Sequence, residues 1–136
     1  MTRIRPRCRV SQTIEAIHLD EQMLGAGIDF IGLITKNGRL VDCNNKNSLN
    51  LSLEQKEMFF MSCSLQQRMN QDYDEDFGRV KYSVTERENH RIITVPQESD
   101  TLIFVMDNNG EFLSRVKGIL KAIKHAKSFK QDSRKV

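Results

Sequence analysis

Ile28-Asp29-Phe30-Ile31-Gly32-Leu33-Ile34-Thr35-Lys36-Asn37-Gly38-Arg39-Leu40-Val41 is the stretch whose reading decides the fold. Ile28, Phe30 and Ile34 fall on one face of an extended chain and Ile31 and Leu33 on the other. A strand apolar on both faces lies inside a sheet covered above and below. Gly32 leaves room for a close neighbour. Asn37-Gly38 is the favoured residue pair of a type I′ turn, so Leu40 to Cys43 is expected to return antiparallel.

Downstream, Ser52 to Tyr73 reads as one long helix, with Ser52 as N-cap and Gln55 completing a capping box. Met58, Met61, Leu65 and Met69 recur at helical spacing as one apolar stripe. Phe59, Phe60 and Cys63 fall outside it and make a second apolar face, one more than a helix covering a sheet requires. Val80, Tyr82 and Val84 alternate with polar residues, the pattern of an edge strand over Val80–Thr85 with one wet face. Ile92 to Val95 is expected to pair next, closed by Pro96. Thr101 to Met106 is apolar on both faces and belongs at the centre. Asp107 or Asn108 is the expected cap of a last helix carrying Phe112, Leu113, Val116, Ile119, Leu120, Ile123 and Ala126 at i, i+3, i+4 spacing. Upstream, Val10, Ile14, Ile17 and Leu24 share a helical face that Gly25 and Gly27 terminate.

These elements predict an α+β fold in the order α-β-β-α-β-β-β-α, a five-stranded antiparallel sheet sandwiched by helices. The strand Ile28–Thr35 is expected beside Thr101–Met106. The first and last helices would cover one face and Ser52–Tyr73 the other. The 136 residues suit one domain, expected over residues 10–127, with a basic disordered arm at 1–9 and a basic frayed tail at 128–136.

The net charge of +3 conceals an asymmetry. Residues 1–10 carry Arg3, Arg5, Arg7 and Arg9 without an acid, residues 111–136 carry +6, and the stretch between holds −7. Basic ends on an acidic body suit a polyanion contact through these four arginines with Lys117, Lys121 and Lys124, or serve only solubility. No apolar run approaches the ~20 residues of a membrane span, and no signal peptide is visible, so the cytoplasm is the expected location. Cys8, Cys43 and Cys63 are odd in number and form no CxxC pair, which points to reduced thiols.

Little in the sequence carries chemistry. The cysteines and histidines are scattered, and no glycine-rich phosphate loop opens a helix. Asp72-Tyr73-Asp74-Glu75-Asp76-Phe77-Gly78 resembles the start of a calcium loop, but Gly78 is one position late and Ser83 stands where the bidentate acid belongs. Thr85-Glu86-Arg87-Glu88 with His90 reads as cross-strand ion pairs on a wet hairpin. No enzyme, cofactor or metal site is expected.

The strand-turn-strand Ile28–Val41, the long helix after it and the three-strand meander before a final helix resemble the roadblock/LC7 superfamily, which shares its plan with profilin-like and longin-like domains. Gly27–Leu40, Met58–Met61 and Tyr73–Glu88 also resemble a family of small uncharacterised archaeal proteins. The roadblock resemblance implies a non-enzymatic scaffold or regulator that pairs through its second helix and neighbouring outer strand and binds another protein, with a small GTPase as the class implied. Set beside it, the residues place a homodimer interface at Phe59, Phe60, Cys63, Val80, Tyr82 and Val84. The alternatives are a nucleic-acid-associated protein acting through the basic ends and a PAS-like small-molecule sensor. The absence of Trp and the scarcity of aromatics among the basic residues weigh against the first. The unbroken long helix weighs against the second.

Overall fold

The computed structural model describes residues 28–44 and 49–134. The helix expected at Val10–Leu24 and the arm bearing Arg3, Arg5, Arg7 and Arg9 lie outside these residues. In chain order the elements are β1 (Ile28–Ile34), β2 (Leu40–Cys43), α1 (Leu53–Gln71), α2 (Asp74–Phe77), β3 (Ser83–Glu86), β4 (Arg91–Pro96), β5 (Thr101–Met106) and α3 (Phe112–Arg134). The five strands form one antiparallel sheet in the order β2-β1-β5-β4-β3, with every neighbouring pair antiparallel. All six residues of β5 are buried, as the central strand of a covered sheet requires.

Two cores follow from the alternation of side chains. On one face Ile31, Ile93, Leu102 and Phe104 meet Val116, Ile119, Ala122 and Ile123 of α3. On the other, Phe30, Ile34, Ile103 and Val105 meet Phe60 of α1 together with Cys43 and Leu49. Each Val, Leu, Ile or Phe among them contributes roughly 1.5–3 kcal/mol on leaving water. Ile28 belongs to the α3 core and not to the face of Phe30, because the β1–β5 register shifts between Ile28 and Phe30. A bulge of this kind adds one residue and reverses the alternation on one side of it.

The hairpin forms as expected, with a different turn. Within the turn only Gly38 has a positive φ (79°), whereas a type I′ turn needs two such residues. The Gly38 N–H donates to the Thr35 carbonyl at 2.9 Å and the Thr35 N–H to the Arg39 carbonyl at 2.8 Å. Thr35 Oγ1 accepts from the N–H groups of Asn37 and Arg39. The result is a type I turn closed by a left-handed glycine, and a separate register shift follows between Leu33 and Ile34, where Val41 is skipped in the pairing. At the far end of β2, Asn44 prolongs the ladder: its N–H donates to the Ile31 carbonyl and its Oδ1 accepts the Ile31 N–H.

Three boundaries differ from the sequence pattern. β3 begins at Ser83, so Val80 and Tyr82 precede the paired strand. α3 starts at Phe112, later than a cap at Asp107 or Asn108 implies. Those two residues hold the preceding loop instead. Arg115 Nη1 donates to the Asp107 carbonyl, to Asp107 Oδ1 at 2.8 Å and to the Asn109 carbonyl, while Asn108 Nδ2 donates to the carbonyls of Arg87 and Glu88. Burial alone would raise the Asp107 carboxyl, but the hydrogen bonds from Arg115 and Asn109 and the nearby charges of Arg115 and Arg91 outweigh it and hold the group below the usual range. Finally, α3 continues to Arg134, into the stretch expected to fray, and leaves Leu113 exposed. Cys43 is disulfide-bonded, against the expectation of reduced thiols.

Gly38 also touches α1. A Cβ placed there would stand 2.8 Å from Met61 Cα and 3.2 Å from the Phe60 carbonyl oxygen. Gly38→Ala combines left-handed strain with overlap against helix backbone and is expected to cost about 2 kcal/mol or more. Urea unfolding at constant m-value measures it.

Candidate interaction surface

α1 is the element whose two sides carry the functional question. Its start is built as the sequence indicates: Gln55 N–H donates to Ser52 Oγ at 3.2 Å, and the Ser52 N–H donates to Gln55 Oε1 at 3.0 Å. The helix ends at Gln71 and the acidic stretch turns into the four-residue α2, with Tyr73 and Phe77 exposed and their rings 6.4 Å apart. Among the described residues no three His, Cys, Asp or Glu side chains come together to hold a metal.

The sheet-facing side of α1 is Phe60, Ser64 and Gln67, at i, i+4 and i+7. The Phe60 ring stacks on Phe30, centroids 5.9 Å apart and planes 25° from parallel. The Phe30 ring in turn lies over Gly32, where an added Cβ would stand 2.6 Å from it. Ser64 donates its hydroxyl proton to the Lys36 carbonyl in the β1–β2 turn. Gln67 Nε2 donates to Thr94 Oγ1 on β4 at 3.0 Å, with both residues buried. Phe59 and Cys63 are half-buried against the same core.

The roles of the two apolar faces are therefore exchanged relative to the sequence reading. Phe60, assigned to a dimer interface, is 4% exposed inside the chain's own core. Met58, Met61, Leu65 and Met69 point outward, exposed by 73%, 55%, 54% and 56%. The physical reason is local. The hydrogen bonds of Ser64 and Gln67 and the close approach at Gly38 set the rotation of the helix about its axis, and apolar periodicity carries no information about any of them. Ser64 and Gln67 are also the residues that sequence reasoning missed. Their signal was their place at i+4 and i+7 from Phe60.

Of the edge residues proposed with them, Val84 lies in β3, while Tyr82 and Val84 pack partly against the α3 core. Val80 is half-buried ahead of the strand. β3 is a terminal strand of the sheet, paired on one side with β4. At the β3–β4 turn Arg91 Nη2 donates to Glu86 Oε1 at 2.9 Å, a cross-strand ion pair on the hairpin, while His90 Nε2 lies 3.7 Å from Asp29 Oδ2 on β1, outside the hairpin cluster read from the sequence. Lys117, Lys121 and Lys124 are exposed on α3. Cys63 is the free thiol among the described residues, and burial pushes its pKa up to about 11, so it is protonated and weakly nucleophilic near neutrality.

Residues 11–129 match the model of a family of unknown function, DUF6659. No curated protein matches the sequence significantly. The fold is that of roadblock/LC7 domains. Myxococcus xanthus MglB superposes with a TM-score of 0.68 at 13% identity, covering 89% of this chain and 97% of that one. A structure described as MglB with tetrameric arrangement gives 0.66 at 11% identity, over 90% of this chain and 94% of that one. A roadblock/LC7 domain from Streptomyces avermitilis gives 0.59 at 9% identity, over 82% and 93%. Among the described residues no helix is long and apolar enough to cross a membrane.

Two outcomes test the arrangement of α1. Phe60→Ala is expected to destabilise the fold by about 3–4 kcal/mol, as large-to-small changes in a core do, measured by denaturant unfolding. Cys63 in the native protein is expected to react with a maleimide at pH 7.5 at least tenfold more slowly than in the denatured chain, read by peptide mapping.

Proposed function

Because the chain belongs to the DUF6659 family and its domain is roadblock/LC7-like, we propose that it is a non-enzymatic interaction protein, a homodimeric scaffold or regulator that binds a further protein. The observation that carries this reading is the inverted amphipathicity of α1, which buries Ser64 and Gln67 and leaves Met58, Met61, Leu65 and Met69 in water. A helix seated on its own sheet gains nothing from such a stripe. A second apolar surface laid against it gains on the order of 1.5–3 kcal/mol per side chain fully buried. Methionine suits the role, since its flexible thioether adapts to the shape of a partner.

The terminal strand β3 supports the same reading, because an unpaired edge invites another strand and pairing removes an aggregation hazard. The solved structure described as MglB with tetrameric arrangement has this plan and supports self-association. The further partner we assign, from the roadblock resemblance, is a small GTPase. The exposed Lys117, Lys121 and Lys124 favour a second reading, a polyanion contact together with Arg3, Arg5, Arg7 and Arg9.

Light scattering at low and high salt separates the two. A mass of twice 15.8 kDa that is insensitive to salt is the expected result. A monomer under both conditions overturns the homodimer. Binding to nucleic acid that collapses with added salt would instead establish the polyanion contact.

A further inference from the structure

Cys43 carries chemistry that neither the sheet nor the α1 surface uses. It closes β2, a terminal strand of the sheet, and stands opposite Gly32 of β1 in the ladder. Its side chain is 1% exposed, in the core with Phe30, Ile34, Leu49 and Phe60, and its sulfur is held in a disulfide. The chain has three cysteines, Cys8, Cys43 and Cys63, and Cys63 is free. That count leaves Cys8, outside the described residues, to supply the second sulfur from within the chain. A cysteine of another copy is a poor alternative, because thiol–disulfide exchange needs access and the Cys43 sulfur is enclosed by its own core.

We propose that Cys8 and Cys43 are joined, and that the bond straps the basic arm to the β2 edge of the sheet. Cys8 stands within the run Arg3, Arg5, Arg7 and Arg9. The strap therefore keeps the backbone of all four arginines within about 20 Å of the bond, even with the arm fully extended. The anchor lies in the core on the α1 side of the sheet, whereas Lys117, Lys121 and Lys124 are carried by α3 on the other. Oxidation then decides where the arm's positive charge is presented: held at the β2 edge when the bond is closed, released from it when the bond opens. Arg7 and Arg9 flank Cys8 directly, and neighbouring cations favour the thiolate over the thiol, so Cys8 reacts first. Its thiolate attacks a sulfur of a low-molecular-weight disulfide, expelling one thiolate and leaving a mixed disulfide. The Cys43 thiolate then attacks the Cys8 sulfur and expels the second. The cysteine pair loses two electrons, the small disulfide is reduced to two thiols, and the cysteine protons go to the expelled thiolates. The strap stands whether or not the chain pairs with a second copy.

The test is a map of the bonded sulfurs. The full chain is equilibrated with oxidised glutathione, blocked with N-ethylmaleimide in denaturant without reductant, and cut by a glutamate-specific protease. Cleavage after Glu15, Glu21, Glu54, Glu57 and Glu75 puts the three cysteines on separate peptides, 1–15, 22–54 and 58–75. Mass spectrometry is expected to find 1–15 joined to 22–54, with 58–75 outside the link, and a non-reducing gel to keep the product at the mass of one chain. Maleimide or glutathione on Cys8 and Cys43, or a link to 58–75, overturns the pairing. A link between two chains overturns the strap. Cys8→Ser supplies a second measurement, because it removes the bond and leaves Cys43 in the core. Under oxidising conditions this variant is expected to melt roughly 10 °C below the original chain, and after reduction of both the midpoints are expected to coincide. Midpoints that already coincide under oxidising conditions, or a gap that survives reduction, overturn the strap.

Discussion

The seating of α1 on the β1–β2 turn and β4 is the constraint on which the rest of the molecule depends. Apolar contact is tolerant of rotation, because Phe60 gains nearly as much from a slightly turned helix. Hydrogen bonds inside a dry contact are not tolerant, since a buried donor or acceptor left unmet costs about 1–3 kcal/mol. Ser64 against the Lys36 carbonyl and Gln67 against Thr94 therefore act as angular pins. Gly38 adds a distance constraint, since the turn backbone meets the helix backbone with no side chain between them. With rotation and distance both set, the outward side of α1 follows without further choice.

Among the described residues nothing covers that outward side. Four large side chains at helical spacing form a strip about 16 Å long, which is geometry suited to another helix. Association must first overcome the lost freedom of two separate bodies, a cost of several kcal/mol or more, so pairing through a strip of this size would need support. The terminal strand β3 offers main-chain hydrogen bonds for that purpose. The titratable groups add no chemistry to this surface. Cys63 is protonated by burial, and the pairs Arg91–Glu86 and Arg115–Asp107 hold loops in place.

The lysines of α3 lie elsewhere. α1 and α3 cover opposite faces of the sheet, as the division of the core into two clusters requires. A polyanion contact through Lys117, Lys121 and Lys124 and a pairing through Met58–Met69 would occupy different sides of the domain. One surface can then be altered without disturbing the other, which makes the two roles separable by mutation.

Much of the fold was legible in the sequence because strand burial writes itself as composition. The two-faced strands Ile28–Ile34 and Thr101–Met106, the Asn-Gly hairpin and the capping box at Ser52 each have a local cause, and local causes are visible in a string of residues. The order of the sheet followed from requiring both apolar strands to be interior. Where a feature depended on contacts between distant residues, the pattern fell short. The shift between Ile28 and Phe30 depends on pairing with β5. The late start of α3 depends on Arg115 reaching back to Asp107 and on Asn108 reaching the β3–β4 turn. The presence of two apolar faces on the helix after Ser52 was determined by the sequence itself, through 3.6-residue periodicity. Which of them meets the sheet was decided only in the tertiary structure. The deciding groups are a carbonyl in a turn 28 residues away and a hydroxyl on β4 27 residues away, and periodicity within a helix carries no information about either.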